Sequence, residues 1–154
     1  PGAAPAAAPE VARGAPDRDR EAAHRLSAVR QYRGGEGEFL RPILEAEEPY
    51  EEFLRQAGTH GRSPAFYLLA AQALHARDRP VAEVLRAATN ALELGAEDAQ
   101  LLRSVGYLMM HLAKHGLAVA LFERVGELAP EEPQSHIDLA LALFFRLRAA
   151  APGP

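Results

Sequence analysis

Cysteine and tryptophan are absent from this 154-residue chain. The first absence excludes disulfides, thiolate catalysis and cysteine-held zinc, though it does not fix a compartment, cytoplasmic or exported. Long apolar runs are missing too: no stretch approaches the roughly 20 residues that a membrane-spanning helix needs. Lysine is nearly missing, Lys114 standing against sixteen arginines, which with the abundant alanine reads as the bias of a GC-rich source. No arginine cluster forms the basic stripe that neutralises phosphates, so nucleic acid is not an expected partner. There is no glycine-rich phosphate loop, no Gly-x-Ser-x-Gly elbow and no serine with a placed His and Asp. Neither an enzyme nor a cofactor is expected.

What is present is an ordinary globular composition, 48% apolar and 25% charged, enough for one continuous core. The charge is uneven: +2 over residues 1–33, −5 over 34–55 and −1 over the remainder, within a total of −4. The acids Glu45, Glu47, Glu48, Glu51 and Glu52 read as a solvated face, since a calcium site needs oxygen ligands converging in a loop. Of the six histidines, His111 and His115 share a helix face four residues apart. They lack the glutamate of a metalloprotease helix, and Lys114 between them repels a cation, so no metal is expected. His115 is expected instead at a helix C-terminus, where it meets the dipole favourably.

Residues 1–16, rich in Ala and Pro without large apolar groups, read as a linker or tail. The start at Pro1 rather than Met reads as a piece of a longer parent protein. Residues 17–62 are expected to form helices packed on an array. One is expected over 17–33, with Ala22, Leu26 and Val29 on one side. Two short ones follow over 38–57, with Pro42 and Pro49 at first-turn positions. Gly58 to Arg62 reads as a turn. Ser63-Pro64 then caps and opens a helix, Arg77-Asp78-Arg79 turns it, Pro80 opens its partner, and Gly95 supplies a left-handed stop.

The stretch that organises the chain is AQLLRSVGYLMMHLAKHGLAVALFERVGELAPEE, Ala99 to Glu132. It reads as two amphipathic helices joined at His115-Gly116. Leu102, Val105, Gly106, Met109 and Leu112 lie on one face of the first; Ala118, Phe122 and Val125 lie on one face of the second. Gly106, mid-helix, costs roughly 1 kcal/mol against Ala, so a neighbouring helix is expected to approach it closely.

With Leu102, Val105 and Met109 standing for Trp, Leu and Tyr, and with Gly106, Ala118, Phe122 and Pro130 matching outright, this unit resembles the tetratricopeptide repeat. A shift of 34 residues gives a degenerate copy over 65–98 and a half copy over 133–149, followed by a tail at 150–154. The resemblance implies an all-α fold: a tetratricopeptide-like right-handed superhelix of antiparallel helix pairs, with repeats spanning 63–149. It also implies a concave groove lined by the first helices. On the 34-residue register its positions are Phe66, Leu69 and Ala73, then Arg103, Tyr107 and Met110, then Ile137, Leu141, Phe144 and Phe145. Some members grip chaperone carboxylate tails with basic groove residues; here Leu69, Ala73, Ser104, Gln134 and Asp138 stand in those places, so that activity is not implied.

The last helix is expected to seat Leu139, Ala140, Leu143 and Leu147 and to carry a second apolar stripe, Ile137, Leu141, Phe144 and Phe145. A terminal solenoid helix is ordinarily polar outside. The expected role is therefore a non-catalytic protein–protein interaction or scaffolding module offering an apolar groove to a helix or peptide. The occupant would be another protein, another domain of the same parent, or a second copy docking through the C-terminal helix. The alternative is a structural spacer whose groove is filled from within. Segments such as GRSPAFYLLAAQAL and APEEPQSHIDLALAL are also similar to the helical region following the von Willebrand factor A module in bacterial inter-alpha-trypsin-inhibitor-like (VIT) proteins. That second likeness implies a large parent, exported in some cases; its Asp-x-Ser-x-Ser metal motif is not in this chain.

Overall fold

The computed structural model describes residues 37–151, and among them the chain is all-helical, without strands. The expectations for residues 1–33 and for the last three residues lie outside the described part. Seven helices follow in order: α1 Gly37–Glu45, α2 Pro49–His60, α3 Pro64–Ala76, α4 Val81–Leu94, α5 Ala99–His111, α6 His115–Leu128 and α7 Pro133–Ala150.

Two hairpins form the centre. α3 packs along α4, and α5 along α6; α5 also leans on α3 and α4, while α7 lies along α6. α1 and α2 pack on each other and on α3, at the opposite end from α7. Local chemistry explains the boundaries. Ser63 Oγ accepts the Phe66 amide at 3.3 Å and Pro64 takes the first helical position, so α3 starts with its orphan donors reduced. Asp98 caps α5 the same way, accepting the Gln100 and Leu101 amides. Asp78 and Ala113 adopt left-handed backbone, φ 52° and 56°, in the turns that close the two hairpins.

The core is continuous. Phe53 of α2 stacks on Phe66 of α3 at 6.0 Å; α3 contributes Leu68, Ala71 and Leu74 to the core, α4 contributes Val84, Ala87 and Ala91, α5 contributes Val105 and Met109, and α6 contributes Ala118, Val119 and Phe122. At Gly106 an added Cβ would stand 2.7 Å from the Phe122 ring, so the glycine is there to let that ring in.

Several sequence expectations need correction. The hairpin turn is at Leu112–Lys114, not His115-Gly116, and Gly116 sits inside the first turn of α6. His115 therefore opens a helix rather than ending one. Pro42 lies in the interior of α1, whereas Pro49 does open α2. Gly58 is helical, the turn coming at Gly61-Arg62. Gly95 ends α4 with φ −132°, which is not left-handed; its lack of a Cβ makes room for Leu101, whose Cδ2 would lie 2.2 Å away. In α7 the seated residues are Ser135, Asp138 and Ala142, with Leu139 and Leu143 half-buried, while Ala140 and Leu147 face outward.

Candidate functional site: an apolar face on the last helix

The seat of α7 determines which face it leaves open, and that seat is polar at its N-terminal half. Arg103, 8% exposed, sets its guanidinium against residues at the start of α7. Its Nη2 donates to Glu132 Oε2 at 2.6 Å and to Ser135 Oγ at 3.2 Å, and its Nη1 donates to Gln100 Oε1. Its Nε stands 3.2 Å from Asp138 Oδ2, an ion pair whose angle is not that of a hydrogen bond. Asp138, buried, accepts at Oδ1 from the Tyr107 hydroxyl and from Gln134 Nε2, both at 2.6 Å. Ser135 Oγ donates onward to the Ala129 carbonyl.

Each buried polar group in this cluster faces a partner, which is the condition for burying charge at all. The hydrogen bond to Glu132 raises the Arg103 pKa against its partial burial, and the charges of Glu132 and Asp138 act in the same direction. Burial first, and then the hydrogen bond and charge of Asp138, push the Tyr107 phenol above its ordinary 10.0. The cluster is a clamp fixing the rotation of α7.

With that rotation fixed, the opposite face of α7 points to solvent. Ile137 is 57% exposed, Phe144 55%, Leu147 68% and Leu141 47%. Beside the stripe lies a hollow of about 280 Å³ lined by Tyr107, Met110, His111, His115, Phe122, Asp138, Leu141 and Phe145. Its walls are mostly apolar. Tyr107 meets Phe122 edge-on at 5.4 Å, and His115 stacks on Phe145 at 5.8 Å. His115 Nδ1 is buried without a hydrogen-bond partner, and His111 Nδ1 lies 2.8 Å from the Tyr107 carbonyl.

The expected groove residues divide accordingly. Tyr107, Met110, Leu141 and Phe145 come together around the hollow, and Ile137 and Phe144 continue the surface outward along α7. Arg103 belongs to the clamp. Phe66 and Leu69, 0% and 1% exposed, lie in the core against α2 and α4 and present no surface, as does Ala73. His111, His115, Phe122 and Asp138 were not foreseen as lining residues. A lone acid in an apolar stripe, with a lone arginine 35 residues upstream, was the signal that could have placed Asp138.

A second hollow, about 520 Å³, opens between α2 and α4; Tyr50, Leu54, Tyr67, Leu85, Arg86 and Asn90 are among its lining residues. Arg86 Nη1 donates to the Tyr50 hydroxyl across it at 3.3 Å. The hydrogen bond to Tyr50 raises the Arg86 pKa, the charges of Tyr50 and Glu83 acting in the same direction against burial. Among the described residues no group of three or more His, Asp or Glu is placed to hold a metal ion, and no helix is long and apolar enough to cross a membrane.

Compared with protein-family models and with curated proteins, the chain finds no match in either. The functional reading therefore rests on this geometry.

Proposed function

We propose that this chain is a non-catalytic interaction module: a tetratricopeptide-like right-handed superhelix of antiparallel helix pairs whose last helix offers an apolar face to a helix or extended peptide. Support for the architecture comes from helix starts at Pro64, Ala99 and Pro133, which lie 35 and 34 residues apart, and from 13-residue α3 and α5 each paired with a 14-residue partner. The observation that carries the function is the run of exposed Ile137, Leu141, Phe144 and Leu147 on a helix already anchored through its other side. Scattered single apolar residues on a surface need no explanation, but a contiguous row beside a hollow marks an interaction site.

The occupant is a helix or extended segment supplied by another protein, by another domain of the same parent, or by a second copy of the chain. A spacer with its trough filled from within is the competing reading. Against it, α1 and α2, the described helices that were candidates for that filling, are seated on α3.

The test uses the apolar dye anilinonaphthalene sulfonate as a surrogate occupant. The full chain, at concentrations low enough to keep it monomeric, is expected to bind it and brighten it. Ile137→Glu/Phe144→Glu is expected to abolish that brightening while leaving the helical circular dichroism unchanged. Unaltered dye binding in a folded double variant would overturn the assignment.

A further inference from the structure

The open face of α7 has a pattern that selects its occupant. Ile137, Ala140, Phe144 and Leu147 recur at intervals of three, four and three, the seam spacing of two packed helices, and all four face outward. Their midpoint falls at Ala142, which points inward and is fully buried. If a second copy of α7 is laid antiparallel about that midpoint, Ile137 faces Leu147 of the second copy, and Ala140 faces its Phe144. Each large ring thus meets a small residue, the alternation that lets facing layers interdigitate.

Charge agrees. The N-terminal end of α7 is flanked by Glu131 and Glu132, and its C-terminal end carries Arg148, so the antiparallel pairing brings Arg148 of each copy within about four residues, roughly 6 Å along the axis, of Glu132 of the other. A parallel pairing would stack Phe144 on Phe144, leave a void between alanines and set like charges together. We infer that the occupant of this face is a second copy of the chain, joined in a two-fold antiparallel α7–α7 dimer. This deepens the docking-surface reading and rests on it.

The absence of cysteine permits a clean test. Sedimentation equilibrium of the full chain is expected to give a monomer–dimer equilibrium, and Phe144→Glu and Ala140→Glu are each expected to weaken it at least a hundredfold. Should Phe144→Glu unfold, Ala140→Glu, which alters a small exposed residue, carries the comparison. A spin label at Ala150→Cys reads orientation: eight residues from the midpoint, the two labels would be separated along the axis by about 24 Å at 1.5 Å per residue. Labels lying side by side would overturn the antiparallel arrangement. A chain that stays monomeric at its highest soluble concentration overturns the dimer. If that monomer still binds dye in a Phe144-dependent way, the docking surface stands with another occupant; if it binds none, both readings fall.

Discussion

Gly106 and Phe122 show how one residue choice sets the spacing of a helix pair. The ring of Phe122 is 1% exposed, and three of its atoms would lie within 3.2 Å of a Cβ at position 106. Gly106→Ala recovers roughly 1 kcal/mol of helix propensity but overpacks the α5–α6 contact, at a cost of about 1–3 kcal/mol. The net expectation is a loss of about 1 kcal/mol in urea unfolding, the overpacking outweighing the gain in propensity. Gly106→Ala/Phe122→Leu is expected to be less destabilised than the two single changes summed, since the smaller side chain makes room for the methyl. A single variant more stable than the parent would show that the close approach is not what retains the glycine.

Between elements, the decisive interaction is the clamp of Arg103, Glu132 and Asp138, which determines the face α7 shows to solvent. Asp138→Ala removes the buried carboxylate from Arg103 and the acceptor from Tyr107, an expected cost of about 3 kcal/mol. Arg103→Met/Asp138→Leu replaces both partners by apolar groups and is expected to restore most of that loss, giving a strongly positive coupling in a double-mutant cycle. Additive losses would mean that the two side chains do not act as a pair.

The same elements show what could be read beforehand. The α5–α6 hairpin was legible because its apolar period runs unbroken over Leu102, Val105, Gly106 and Met109, and over Ala118, Phe122 and Val125, nearly all of which are buried. The register over 65–98 was off because the connection at 77–80 is one residue longer than that at 112–114, which puts α3 and α5 35 residues apart rather than 34. A slip of one residue turns a helix by about 100°. By helix position, Arg103, Tyr107 and Met110 therefore correspond to Leu68, Gln72 and His75, not to residues one place along, and Phe66 and Leu69 rotate into the core. The seat of α7 was hidden for another reason. Hydrophobic periodicity cannot reveal a face whose anchor is the buried ion pair between Asp138 and Arg103, which are 35 residues apart in sequence.

At the scale of the whole molecule, α1 and α2 cover one end of the array by packing on α3, while α7 ends the described part with its apolar face outward. Everything proposed about function depends on that face being open and not part of the fold's own core. Thermal unfolding of Phe144→Glu/Leu147→Glu, followed at concentrations low enough to keep the chain monomeric, measures this directly. Substitutions on an open surface change stability by about 0.5 kcal/mol or less each, so the midpoint is expected to stay within about 4 °C of the parent. A fall of more than about 10 °C would mean that two buried side chains had been replaced by charges, and that the face is filled from within the molecule.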